Sequence, residues 1–389
     1  MKINQDNAKA CLIELLEISG IPGKEKKVAE RIVTYFNTLG IENYCFDEAN
    51  VKAGGEVGNL ILDVPGAGSL KDSGRVMLSG HMDTVPLCAE VKLIEEDGII
   101  KTDGKTALGA DNRTACAAII SVVRELKEQK LPHPPLTLVF TVQEEIGLVG
   151  ASHLDYSLLK SPKFGINIDG GIVEEMLIGA IGGIKFEAVI TGIASHAGVH
   201  PEDGVSAASV FALAQAKILS DGWHGVITKG TKEGRANIGS VHGGAATNVV
   251  MDELTFTGEC RSHDLEFRDE IYQTYIKYFQ EAASQVTNAV GESASVNFTL
   301  KSKSPSFAIA PNNTFITDLS EHFKEMGLSP ELIIGNGGLD ANYFNHELGV
   351  PVVTIGAGAH NIHTVKEYCQ LQEYYTCCEF LLKYLSETK

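Results

Sequence analysis

Apolar positions along the chain follow two rhythms. Over residues 6–18 and 24–39 they recur at helical spacing, and Val28, Ile32, Val33, Tyr35 and Phe36 share one broad face. NLILDV (59–64), RVMLSG (75–80), LTLVFTV (136–142), FGINID (164–169) and VPVVTIG (350–356) are short, strongly apolar runs that read as strands. NRTACAAIISVVRELKE (112–128) predicts a helix, which must stop at LPHPP because proline cannot continue it. Strands alternating with helices predict an α/β fold with a helix-covered, largely parallel sheet.

The middle of the chain changes rhythm. IKFEAVITG (184–192) alternates like a half-buried strand, and a helix follows at about 205–219. RANIGSVHG (235–243) and ELTFTGEC (253–260) read as two more strands, 265–289 as a long helix, and SVNFTLKS (295–302) as a last strand. The order β-α-β-β-α-β is the split βαβ pattern of ferredoxin-like sandwiches. A chain of 389 residues exceeds one typical core. The predicted organisation is a discontinuous core domain, 1–181 and 303–389, interrupted by an inserted ferredoxin-like α+β lid domain at 182–302.

Charge narrows the partners. With 32 basic and 50 acidic residues the net charge is −18, the wrong sign for nucleic acid or an anionic membrane surface. The eight cysteines show no C-x-x-C spacing, so neither a zinc ribbon nor a disulfide framework is indicated, and free thiols in a reducing cytosol are the simpler reading. The N-terminus lacks a signal-peptide pattern and no apolar run is long enough to span a bilayer. The expectation is a soluble, cytoplasmic protein.

Most of the core strands lead into ionisable residues. RVMLSG runs into His81 and Asp83, LTLVFTV into Glu144 and Glu145, FGINID ends in Asp169, VPVVTIG precedes His360 and His363, and Asp111 opens the 112–128 helix. Each has an ordinary reading alone: a hydrogen-bonded His-x-Asp pair, a solvated Glu-Glu, a helix N-cap at Asp111. Together they do not, because open α/β sheets bind ligands at the carboxyl ends of their strands. So many carboxylates on one edge repel or protonate unless a cation sits among them. Histidine plus carboxylate without thiolate suits Zn²⁺, Mn²⁺ or Co²⁺. The ligand count exceeds one catalytic zinc and suits two ions roughly 3.5–4 Å apart sharing a carboxylate.

SGHMDTVP, GADNRTA, TVQEEIGLVGA, NIDGG and His363 of GAGAHNIHTVKEY, taken in order, resemble the co-catalytic dizinc metallopeptidases. That family includes peptidase T, carboxypeptidase G, aminoacylase and succinyl-diaminopimelate desuccinylase, and the peptidase T-like tripeptidases are the nearest in pattern. The resemblance spans the whole chain and implies a role for each residue. His81 and Asp169 complete one metal, Glu145 and His363 the other, and Asp111 bridges them. Asp83 orients the His81 imidazole, and a cis peptide follows Asp111. Glu144 is the general base: it takes a proton from a water acidified by the metals and returns one to the leaving amine.

In the inserted domain the resemblance implies that His196 stabilises the oxyanion, sometimes across a dimer, and that Asn248 and Arg261 contact the substrate carboxylate. The competing reading of Arg261 is a surface ion pair with Asp264. Gly356 and Gly358 are candidates for close approach of backbone to substrate. His200, His263 and His360 carry no assigned role. Asp at position 169, where acylases and carboxypeptidases of the family commonly have Glu, favours an aminopeptidase for short peptides, tripeptides above all. The alternative is an N-acyl amino acid deacylase or carboxypeptidase of the same chemistry. The lid strand edge is a candidate homodimer surface.

Overall fold

The computed structural model describes residues 1–388. The chain divides into two compact units, residues 1–180 with 308 onward, and residues 181–307. In the first unit the apolar runs form the middle of a nine-stranded sheet. Its central order is Tyr44–Phe46, Leu60–Val64, Leu136–Thr141, Val76–His81, Phe164–Ile168, Val352–Ile355 and Glu175–Ala180, with Glu331–Gly335 also pairing to Glu175–Ala180. The four strands Leu136–Thr141, Val76–His81, Phe164–Ile168 and Val352–Ile355 are mutually parallel and buried except at Phe164. His81 lies opposite Thr141, and Ile168 opposite Ile355, so their carboxyl ends are level.

Polar side chains stitch these strands one layer below that edge. Ser79 donates to Asn167 Oδ1 at 2.8 Å and Asn167 Nδ2 donates to Thr354 at 3.2 Å, so buried polar groups are paired rather than orphaned. The helix Ala110–Glu128 is buried along nearly its whole length and lies between the sheet and the helices Gln5–Leu16, Lys26–Thr38 and Leu371–Glu387. It approaches Val76–His81 closely because residue 80 is glycine: a Cβ there would lie 2.6 Å from the Ala115 methyl.

A second, four-stranded sheet was not legible in the sequence. It orders Ala359–His360, Tyr368–Gln370, Ile99–Thr102 and Leu93–Glu96. Its first hairpin loop, residues 361–367, contributes to the site described below.

The second unit is a five-stranded antiparallel sheet with the helices Ala207–Ser220 and Leu265–Gln285. Strand order is Gly225–Lys229, Lys232–Gly243, Glu253–Ser262, Gly182–Thr191, Ser295–Lys303. Without its first strand this is the predicted split βαβ arrangement; Gly225–Lys229, which the sequence reading missed, adds an edge hairpin. Phe186, Phe256, Phe279 and Phe298 pack edge-on, tilted or stacked in its core. Among the described residues no helix is long and apolar enough to cross a membrane, and all eight cysteines are free thiols.

Candidate metal centre

His81 is the last residue of its strand. Its Nδ1 sits 3.0 Å from the Asp83 carbonyl and 3.4 Å from Asp83 Oδ1, which leaves Nε2 for the site. The Asp83 carboxylate has shorter partners: it accepts the amides of Glu144 at 2.9 Å and Glu145 at 3.1 Å. One residue therefore fixes both the imidazole and the two glutamates.

Adjacent residues of a regular strand point to opposite faces, so Glu144 and Glu145 reach one site only if the strand has ended. It ends at Thr141. Gln143 takes φ 54° and Gly147 φ 124°, and the amides of Gly147 and Leu148 donate to the Glu144 carbonyl at 2.9 and 2.8 Å, closing a tight turn. Gln143 is held in its left-handed conformation from two sides. Its amide donates to Glu25 Oε1 at 3.0 Å and its side chain to the Gly54 carbonyl at 2.6 Å.

Asp111 does not cap the helix it opens. Asp111 and Asn112 have non-helical dihedrals, and the peptide bond between them is cis, as the resemblance implied. The Asp111 carboxylate spans two imidazoles instead. Oδ1 lies 3.1 Å from His81 Nε2 and Oδ2 lies 3.3 Å from His363 Nε2. His363 Nε2 is also 2.9 Å from Glu145 Oε2. On the other side Asp169 Oδ1 and Glu144 Oε2 each stand 4.0 Å from His81 Nε2. His81, Asp111 and Glu145 present donor atoms all within 4.8 Å of one another, a candidate metal-binding group.

The electrostatics show what this cluster lacks from its own side chains. Burial pushes the Glu144 and Asp169 carboxyls well above the usual range, and neighbouring carboxylates add to it. Burial likewise raises Glu145. Burial opposes ionisation of Asp111 too, but hydrogen bonds from His363 and His81 hold it below the usual range. His363 is pushed up to about 10 by Asp111 and Glu145. Burial lowers His81, yet its hydrogen bonds with Asp111 and Asp83 leave it well above its ordinary value. Four carboxylates and two imidazoles converge, and among the described residues no Lys or Arg joins them, so the donor set fits divalent cations.

Three further buried carboxylates escaped sequence reasoning. Glu367, at the end of the loop that carries His363, accepts the amides of Leu108 at 2.8 Å, Gly109 at 2.9 Å and Asp111 at 3.0 Å. Asp340 accepts a short hydrogen bond from Thr141 and is pushed up to about 6 by burial. Glu25 accepts the amides of Gly23 and Gln143, with Oε2 buried and unpaired. Their partners are mostly backbone amides, which leave no residue-type spacing to read.

The residues expected in the inserted domain lie within the second unit. His196 and Asn248 are exposed neighbours: His196 bridges to Val249, and the Ala197 amide donates to the Asn248 carbonyl at 2.9 Å. Arg261 pairs with Glu259, Nη2 to Oε2 at 2.9 Å and Nε to Oε1 at 3.1 Å. The alternative pairing with Asp264 is not found, because that carboxylate caps the Leu265–Gln285 helix through the amides of Glu266 and Phe267. Gly356 and Gly358 are required by the protein's own backbone: a Cβ would lie 2.4 Å from Gly171 and 2.7 Å from the Gln370 carbonyl, respectively. His360, left without a role, pairs with Glu373 and stacks on Tyr368.

Residues 77–387 match Peptidase family M20/M25/M40, and the chain belongs to that family. It is therefore a peptidase of the hydrolase class. The fold is similar to a crystal structure of a tripeptidase from Staphylococcus aureus subsp. aureus Mu50, with 32% identity and a TM-score of 0.87 over 99% of both chains. It is similar to aminopeptidase PepT from Bacillus cereus ATCC 10987, with 30% identity and a TM-score of 0.85 over 99% of both chains. A Bacillus subtilis (strain 168) protein, Uncharacterized protein YqjE, is 30% identical over 386 residues, 99% of each chain. The match to peptidase T of Escherichia coli (strain K12) is 22% over 283 residues, 70% of this chain and 64% of that protein.

Proposed function

We propose that this chain is a dinuclear-metal aminopeptidase that hydrolyses the N-terminal peptide bond of short peptides, tripeptides above all. The observation that carries the reading is the Asp111 carboxylate, which offers one oxygen toward each of two imidazoles. His81, Asp111 and Asp169 would hold one ion, and His363, Asp111 and Glu145 the other, with Zn²⁺ favoured by the donor set and Mn²⁺ or Co²⁺ compatible with it. When bound, the ions supply Lewis acidity to the scissile carbonyl and acidify a water. Glu144 is assigned as the general base that takes the water's proton and passes one to the leaving amine. The Asp83 clamp on its amide keeps the Glu144 carboxylate on the site side of the turn.

The similar solved structures described as a tripeptidase and an aminopeptidase support the substrate class. His196 as oxyanion donor and Asn248 and Arg261 as contacts for the peptide carboxylate belong to the same proposal, as does homodimerisation through the inserted domain acting as a lid. Arg261 must then exchange Glu259 for substrate. Eight free thiols suit a cytoplasmic setting.

Metal analysis after reconstitution tests the centre: two ions per chain are expected, and fewer than one overturns it. Glu144→Gln should keep both ions while losing about 10²–10⁴-fold in kcat. Turnover like wild type removes Glu144 from the base role.

A further inference from the structure

A cavity of about 320 Å³ opens beside the metal centre, entirely within the first unit. Asp111, Glu144, Glu145, Asp169 and His363 line it, and so does a fifth carboxylate, Glu175. The first four carboxylates have assignments at the ions or in proton transfer; Glu175 has none. It begins the strand Glu175–Ala180 and alternates onto the same face as Leu177, which also lines the cavity. Among the described residues no donor or cation pairs with its side chain, and Glu331 stands beside it in register on the adjacent strand. Among the described residues no Lys or Arg lines the cavity.

A half-buried carboxylate that shares a cavity with four others gains when a cation meets it. Ions held by His81, Asp111, Glu145, Asp169 and His363 have their own ligands. A cation that arrives with the substrate remains, and the free α-ammonium of a peptide is one. An acylated amine brings no charge, and a substrate carboxylate would be repelled. The rest of the wall is apolar or small: Ile172, Leu177, Leu339 and Ile362, with Gly170 and Gly338.

We infer that Glu175 receives the substrate's α-ammonium and that this cavity takes an apolar N-terminal side chain, so that the enzyme selects peptides with a free amine and an apolar first residue. This rests on the aminopeptidase reading above. The carboxylate–ammonium contact anchors the peptide at its amino end and sets which bond lies over the ions.

Steady-state kinetics of Glu175→Gln on Leu-Gly-Gly, Lys-Gly-Gly and N-acetyl-Leu-Gly-Gly test it, with bound metal measured alongside. Loss of one charge-assisted hydrogen bond should raise KM for Leu-Gly-Gly by about ten- to a hundredfold. Metal content should stay at the wild-type value, any residual turnover of the acetylated peptide should not change, and Glu175→Asp should recover part of the loss. An unchanged KM for Leu-Gly-Gly overturns the assignment of Glu175 and leaves the aminopeptidase reading standing. A rise confined to Lys-Gly-Gly also overturns it, because Glu175 would then read a basic side chain. If the wild type cleaves the acetylated peptide as well as the free one, it is the aminopeptidase reading that fails.

Discussion

Asp83 and Glu367 both turn their carboxylates toward backbone amides rather than into the centre. Asp83 takes two, from Glu144 and Glu145, and Glu367 takes three, including that of Asp111. Each thus fixes a segment that carries a proposed ligand. An amide side chain cannot repeat either pattern, since its NH₂ would face an N–H. Asp83→Asn and Glu367→Gln should each weaken metal affinity by about 10–100-fold, read by competition with a chelating dye; unchanged affinity in both would remove the clamp argument. At this scale the sequence was legible where residue type is the signal. His81, Glu145 and His363 could be picked out as ionisable residues following strands and Asp111 as the carboxylate opening the long helix, and the structure brings them within contact of one another. Glu367, Asp340 and Glu25 were not legible, because a carboxylate that serves a distant amide or hydroxyl looks like any other acid in the sequence.

Among elements, the buried strands and the Ala110–Glu128 helix were legible because full burial demands long apolar runs, and these have it. The hairpin of Leu93–Glu96 and Ile99–Thr102 was not: its first strand reads LIEE and is largely exposed, so no periodicity marks it. Yet that sheet continues into the strands flanking the loop of His363 and Glu367. The break in the pleat that lets Glu144 and Glu145 reach one site falls at Gln143, whose left-handed φ no residue-type rule foretells. The contact between helix and strand can be tested at Gly80. Gly80→Ala places a methyl against Ala115 and should cost about 1–3 kcal/mol in stability, measured by urea denaturation. A variant as stable as wild type would show that the helix can move away.

For the molecule as a whole, one prediction concerns pH. His133 is buried, its Nδ1 2.8 Å from the Pro134 carbonyl, and burial together with Lys127 lowers its pKa below the ordinary 6.5. A histidine depressed in the folded state contributes stability above the unfolded value, and this is lost as pH falls through the folded value. Wild type should therefore lose stability as pH drops below about 6.5, and His133→Gln should show a shallower decline in the same denaturation series. Equal slopes would contradict the shift. The net charge of −18 concerns solubility and partner choice rather than fold, and it leaves the metal centre and Arg261 as the proposed sources of positive charge for substrate.

The central claim is the direction of cleavage by a metal-dependent site. Mass spectrometry of Leu-Gly-Gly digested by the reconstituted enzyme tests it most directly. The account predicts free leucine and Gly-Gly, abolished by chelation and restored by Zn²⁺, with N-acetyl-leucine left intact at equal concentration. Release of Leu-Gly with free glycine, preferential hydrolysis of N-acetyl-leucine, or cleavage that survives complete removal of metal would contradict it.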